Sequence, residues 1–254
     1  MDNRPVGVFD SGMGGISLLR NLRALLPEED FVYYGDDANA PYGTKTEGEI
    51  LALSRADVDF LLRFDVKAIV IACNTATSAA AKTLRSEMTL PIIGIEPALK
   101  PAALARKGGK IAVLATPATL RQQKFTDLMR LYGEHALPLP CPGLMEFAER
   151  GVTEGDELDA YLENAFSSLR GVRLDGVVLG CTHYSFLCGA IRKALPNVPL
   201  FDGNDGTARQ LKRVLTEKGL RSGEKQGSVS LYTSGDAGAS IPIMQMLLST
   251  PISL

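Results

Sequence analysis

Four cysteines and two histidines are the residues of widest chemical range in this chain, and two of the cysteines stand in matching surroundings. Residues 68–75 (AIVIACNT) and 176–183 (GVVLGCTH) each run from an apolar, β-branched stretch into a cysteine, with polar residues following at once. Each segment reads as a buried parallel strand with Cys73 or Cys181 at its carboxyl end, just ahead of a helix. A thiol there faces the positive end of the helix macrodipole. The expectation is a thiol pKa drawn from about 8.5 toward neutrality, where the thiolate is a competent general base. A lone cysteine at a strand end is ordinarily an inert core residue. Two in equivalent places, each followed by hydroxyl or amide side chains, point instead to an acid/base pair facing across a cleft.

The other thiols, Cys141 and Cys188, lack such a setting; Cys188 falls inside the helix expected after Cys181 and reads as a small core hydrophobe. The cysteines form no CxxC pair and the only histidines are His135 and His183, so zinc-ligand spacing is missing and no metal is expected. With 27 basic against 29 acidic residues and no basic cluster, nucleic acid is not an expected partner. The apolar runs are too short to span a bilayer, and residues 1–5 lead straight into a strand. A cytoplasmic protein without a membrane segment is expected.

The elements that must position the thiols follow from periodicity. Short β-branched runs alternate with longer helical ones, the pattern of an α/β protein with mainly parallel sheets. Strands are expected at Val6–Asp10, Phe31–Gly35, Ala68–Cys73, Ile92–Ile95, Lys110–Ala115, Gly176–Gly180, Pro199–Asp202 and Ser228–Thr233. Leu158, Tyr161, Leu162, Ala165, Phe166 and Leu169 repeat at helical spacing and should share one buried face. Breaks near Glu96-Pro97 and at 202–206 (DGNDG) divide the chain into two similar lobes. Residues 1–96 with 207–254 form one and 97–206 the other, with the active site in the cleft between them.

Three further segments suit a small polar ligand. Residues 6–15 (VGVFDSGMGG) read as a strand, a glycine-rich turn and a helix starting near Ile16; Asp10 and Ser11 are ordinary caps in that setting. The turn partly matches a dinucleotide fingerprint, but Ser17 occupies the third glycine position and Asp10 would repel a pyrophosphate. Pro41-Tyr42-Gly43 is a turn whose backbone N–H groups could receive a carboxylate. Thr116 and Thr119 bracket a Pro at the start of a helix and read as its cap.

The segments GVFDSGMGG (7–15), YGDDANAPYG (34–43), ACNTA (72–76) and GCTHY (180–184), with SGD at 234–236, closely resemble the bacterial glutamate racemases of the aspartate/glutamate racemase family across essentially the whole chain. The resemblance implies a cofactor-independent isomerase of two α/β lobes, in which a cysteine from each lobe works on opposite faces of the substrate Cα. It assigns Cys73 and Cys181 as the two bases, Asp10 as the group assisting Cys73, and His183 as the group assisting Cys181. The segment from Cys141 supplies a further acid, Glu149 by register, with Glu146 three residues away. Substrate binding falls to Asp10, Ser11, Pro41, Tyr42, Gly43, Asn74, Thr75, Thr116, Thr119, Thr182 and His183. Departures from the family are Asp37 for Thr or Ser, Asn39 for Arg, Ser185 for Pro, and the absence of a proline in 144–148. The expected substrate is glutamate, the D-isomer going to bacterial peptidoglycan. Alternatives are a two-cysteine racemase for aspartate or hydantoins, and an amino-acid-binding relative without turnover. A homodimer is the commonest assembly for such an enzyme.

Overall fold

Strands buried on both faces need cover on both faces, and the alternation of short apolar runs with amphipathic helices supplies it. The computed structural model describes residues 1–223 and 226–250. The strands are β1 (Val6–Asp10), β2 (Phe31–Gly35), β3 (Ala68–Ile71), β4 (Ile92–Gly94), β5 (Lys110–Ala115), β6 (Ala136–Pro140), β7 (Leu174–Leu179), β8 (Leu200–Phe201) and β9 (Val229–Thr233). The helices are α1 (Ile16–Leu25), α2 (Glu47–Leu62), α3 (Asn74–Glu87), α4 (Leu99–Ala105), α5 (Pro117–Arg121), α6 (Gln123–Tyr132), α7 (Leu144–Glu149), α8 (Asp156–Ala165), α9 (Cys188–Ala194), α10 (Asn204–Glu217) and α11 (Ala237–Ser249).

The strands form two wholly parallel sheets, one in the order β4-β3-β1-β2-β9 and the other β6-β5-β7-β8. The chain is thus an α/β protein of two lobes. Register brings the strand ends level: Asp10 pairs with Gly35, Phe9 with Ile71, and Leu114 with Leu179. The loops after β1, β2 and β3 therefore leave one edge of the first sheet together. Those after β5, β6 and β7 do the same in the second.

The expected Cys-terminated strands stop earlier than read. β3 ends at Ile71 and β7 at Leu179, leaving Cys73 and Cys181 on the turns beyond. β4 ends at Gly94, β8 shrinks to two residues, and β9 starts at Val229. β6 went unread because Pro138 and Pro140 erase its strand signature. Proline cannot donate to a ladder and is tolerated on an edge, which is where β6 lies. The helix expected over 158–169 breaks after Ala165 and continues as a 3₁₀ turn, Ser167–Leu169. Leu158, Leu162, Phe166 and Leu169 still point into the core with Val177 and Leu179, while Tyr161 and Ala165 are half-buried.

α10 begins at Asn204, just ahead of the expected boundary at 207, and packs along α1 and β4 of the first sheet. Of the stretch 207–254, residues 224–225 and 251–254 lie outside the described residues. At the amino edge of the first sheet, Lys67 and Glu29 form a fully buried ion pair at 2.5 Å. The three ammonium protons of Lys67 find Glu29, Ser222 and the Asp2 carbonyl, so that pair is fully satisfied. Among the described residues, no helix is long and apolar enough to cross a membrane.

Candidate active site

Asp10 ends β1 and is completely buried. Its Oδ1 accepts the Gly12 N–H at 3.0 Å, and its Oδ2 accepts the Thr182 hydroxyl of the other lobe at 3.1 Å. Burial raises its pKa to about 6, against the opposing pull of His183 and the Thr182 hydrogen bond. Ser17 donates to the Thr182 carbonyl at 3.0 Å and ties the same two loops.

Cys73 is the N-cap of α3. Its sulfur accepts the Ala76 N–H at 3.4 Å and lies 3.4 Å from the Ser11 hydroxyl. The expected fall in its pKa does not occur: burial, and then the negative charge of Asp10, push the thiol up to about 12, outweighing the cap contacts. Asp10 therefore reaches Cys73 through space, while its hydrogen bonds go to Gly12 and Thr182. The helix expected to start beyond Cys181 is instead a 3₁₀ turn over Thr182–Leu187, and α9 begins only at Cys188. Cys181 makes no capping bond; its Sγ lies 3.6 Å from His183 Nδ1.

His183 Nε2 bonds to Glu149 Oε1, which also accepts the Met13 N–H at 3.3 Å. Burial would lower the imidazole pKa, but the Glu149 carboxylate and Cys181 together hold it well above its ordinary value. Burial likewise pushes Glu149 up, and His183 with the Met13 N–H bring it below the usual range. The result is a row of contacts, Cys181 to His183 to Glu149, with the imidazole at its centre held toward its protonated form. Glu149 is the acid that faces it; Glu146 is exposed.

The glycines of the first turn make room for these side chains. A Cβ on Gly12 would stand 2.5 Å from Glu149 Oε1, and one on Gly14 would strike the His183 ring and lie 2.6 Å from Thr182 Oγ1. The space a nucleotide phosphate would need is filled by the second lobe's own side chains.

Asn74 opens α3 with its Oδ1 buried and unpartnered. Thr75 Oγ1 lies 3.0 Å from Thr119 Oγ1 and 3.4 Å from Thr116 Oγ1, so three hydroxyls bridge the lobes beside Cys73. Thr116 caps α5 as read, accepting the Thr119 N–H at 3.2 Å. A Cβ on Gly43 would stand 3.3 Å from Thr116, which brings the 41–43 turn to the same place. Tyr42 points away from the cleft: its Oη lies 2.6 Å from Asp36 Oδ2 and 3.0 Å from Asp57 Oδ2.

Two residues of this region were missed from sequence. Gln122 donates from Nε2 to the Thr75 carbonyl at 3.3 Å, across the lobes. Asp57 shares the buried face of α2 with Ile50, Ser54, Val58 and Leu61; a carboxylate on an apolar stripe was the available signal. Three of the departures from the family pattern find partners: Asp37 accepts from Thr233 through Oδ2 at 2.6 Å while its Oδ1 is buried without one, Asn39 donates to Asp36 at 2.9 Å, and Ser185 donates to Asp202 at 2.8 Å. Cys141 and Cys188 are buried, Cys141 donating to the Leu139 carbonyl at 3.5 Å and Cys188 joining the core. Among the described residues, no cluster of His, Cys, Asp or Glu is arranged to hold a metal ion.

Residues 14–211 match the Asp/Glu/Hydantoin racemase family. A glutamate racemase of Clostridium novyi is 51% identical over 237 residues, covering 91% of this chain and 92% of its own. The crystal structure of a glutamate racemase isoform from Bacillus anthracis superposes with a TM-score of 0.89 at 30% identity, covering 100% of this chain and 97% of that one. The glutamate racemase of Francisella tularensis, solved in complex with D-glutamate, gives a TM-score of 0.84 at 30% identity over 98% and 95% of the two chains. With the family match spanning most of its length and carrying both cysteine-bearing strand ends, the chain belongs to the Asp/Glu/Hydantoin racemase family.

Proposed function

We propose that this chain interconverts L- and D-glutamate by two-base proton transfer at Cα, without a cofactor, and supplies D-glutamate for bacterial peptidoglycan from the cytoplasm. The single observation that carries the reading is the pair Cys73 and Cys181, one from each sheet, each with a proton-handling neighbour within the same buried site. The high identity to proteins called glutamate racemase supports glutamate as the substrate.

In the reaction, one sulfur begins as thiolate and takes the Cα proton; the electron pair left behind spreads into the α-carboxylate. The opposite thiol then gives its proton to the other face, and the centre is inverted. Cys73 is the base toward D-glutamate and Cys181 the base toward L-glutamate. Asp10 manages the proton of Cys73 through its charge, and His183, held by Glu149, gives or takes a proton at Cys181. The free Oδ1 of Asn74 accepts from the substrate ammonium. The hydroxyls of Ser11, Thr75, Thr116, Thr119 and Thr182, with the N–H groups of the 41–43 turn, receive its carboxylates. Cys73 and Cys181 are 6% and 9% exposed, so substrate enters only when the lobes, 1–96 with 207–254 and 97–206, part. The working assembly is a homodimer, which sedimentation velocity checks.

The test is incubation with L-glutamate in D2O, following deuterium at Cα by NMR and the enantiomer by chiral chromatography. Deuterated D-glutamate is expected. Exchange of aspartate but not glutamate would move the substrate assignment within the family, and binding without exchange would end the two-base reading.

A further inference from the structure

Asp57 belongs to none of the motifs and touches no site loop except through Tyr42. Asp36, Tyr42 and Asp57 are each no more than 2% exposed, and their hydrogen bonds can be counted. Asp36 Oδ1 accepts from Asn39 Nδ2 at 2.9 Å and from Ser234 Oγ at 2.7 Å, and its Oδ2 lies 2.6 Å from Tyr42 Oη. That donor set suits an ionised carboxylate, and the short phenol contact is the charge-assisted one. A phenol has one proton, and Asp36 takes it. The remaining contact, Tyr42 Oη to Asp57 Oδ2 at 3.0 Å, must then carry a proton from Asp57.

We propose that Asp57 is kept as a neutral carboxylic acid that donates to Tyr42 Oη, and that this bond fixes the Pro41-Tyr42-Gly43 turn against Thr116. Asp57 is thereby a positioning residue for the substrate carboxylate. The proposal rests on the glutamate reading of the turn.

The surroundings agree with a neutral acid. Facing Asp57 are Tyr34 on β2, Asp36 just beyond it, Tyr42 from the turn and Asp10 from the end of β1. On α3, packed along α2, Arg85 is spent on the Ile92 carbonyl and Glu87 on Arg55. Burial, followed by the negative charge of Asp36, raises Asp57 to about 8, and a bond donated by the neutral acid works in the same direction. Above that pH a second carboxylate forms beside Asp36, its donated hydrogen bond is lost, and the turn loosens.

Two readouts on the full-length enzyme test this. Infrared difference spectra between about pH 7 and about pH 9.5 should show a protonated-carboxyl C=O stretch that titrates near 8 and is missing from Asp57→Asn. In kinetics, KM for glutamate in the native enzyme should climb above pH 8, approaching about tenfold per pH unit, relative to Asp57→Asn, with kcat following a common profile in both. The Asn amide supplies an N–H donor that cannot ionise; Asp57→Leu, with no donor, should raise KM at every pH. A native spectrum without the titrating band, or KM profiles of native enzyme and Asp57→Asn that superimpose, overturns the proposal. The infrared band needs no turnover, so it judges Asp57 even if glutamate fails as substrate, and it needs only the native enzyme should Asp57→Asn not fold.

Discussion

Cys73 caps a 14-residue helix, takes an N–H from Ala76, sits against the Ser11 hydroxyl and feels the charge of Asp10. Cys181 stands at the corresponding strand end of the other sheet, yet it leads into a 3₁₀ turn, caps nothing and meets a protonated imidazole. Two βα units of similar design therefore give their thiols opposite electrostatic company. Burial, followed by the negative charge of Asp10, keeps Cys73 a thiol despite the helix dipole and outweighs a cap contact of 3.4 Å. Strand-end placement fixes where each sulfur stands; for Cys73, burial and then the charge of Asp10 decide that it holds its proton. On the proposed mechanism, this asymmetry lets two identical functional groups act as acid and base in the same turnover.

The largest effects should come from removing either thiol. Cys73→Ser and Cys181→Ser are each expected to lower racemisation by at least about a thousandfold, since a hydroxyl is far too weak an acid to supply an alkoxide base near neutral pH. Cys141→Ser and Cys188→Ser should stay within about tenfold of the native rate by chiral chromatography. A chlorinated glutamate that loses HCl after one deprotonation separates the faces: each Ser variant should still process one enantiomer, and a different one. If both variants handle both enantiomers alike, the face assignment fails.

Next come the two assistants. His183→Asn and Asp10→Asn should each cost about ten- to a thousandfold in kcat/KM. Because enantiomers have equal free energy, kcat/KM must fall equally in the two directions for any variant. The asymmetry shows instead in the Cα-deuterium isotope effect. Asp10→Asn should raise it with D-glutamate, where Cys73 is the base, and His183→Asn with L-glutamate. Equal isotope effects in both variants would mean that Asp10 and His183 do not serve separate thiols.

The parts of this comparison that sequence made legible are those written in local residue order. The AIVIACNT and GVVLGCTH strings gave two strands and two thiols, and residue types at 10, 11, 74, 75, 182 and 183 gave the polar shell. What sequence did not give depends on contacts between distant segments. The pairing of Asp10 with Thr182 spans 172 positions, and nothing local shows that Glu149 rather than Glu146 reaches His183. The pKa of Cys73 was misjudged because the dipole is readable from the helix start, whereas burial and Asp10 enter only with the fold. β6 was hidden by Pro138 and Pro140, whose edge position is a property of the sheet.

The pH dependence sharpens the comparison further. If Asp10 must be ionised to manage the proton of Cys73, the acid limb of kcat/KM should fall near pH 6, where burial has placed that carboxyl. Activity is then lost as pH drops through about 6. Asp10→Asn should remove this limb from the residual activity while the limb set by the His183–Glu149 pair stays. An unmoved acid limb in that variant would assign it elsewhere.

The smallest expected effect lies at a single hydrogen bond between the two halves, the one from Thr182 to Asp10. Thr182 Oγ1 donates to Asp10 Oδ2 at 3.1 Å and stabilises the ionised carboxylate, so it holds the Asp10 pKa down against burial. Thr182→Val keeps the shape and deletes the donor. A hydrogen bond to a charged group is worth about 1.5 to 3 kcal/mol, and one pKa unit corresponds to about 1.4 kcal/mol. The acid limb should therefore move up by about one to two units, with little loss of kcat on its alkaline side beyond the substrate contact given up. The direction is decisive: a donor that favours the charged form can only raise the pKa when removed. A limb that stays near 6 in Thr182→Val, or moves down, would show that the Thr182 hydrogen bond does not hold the Asp10 pKa down and leave His183 as the group across the cleft that does.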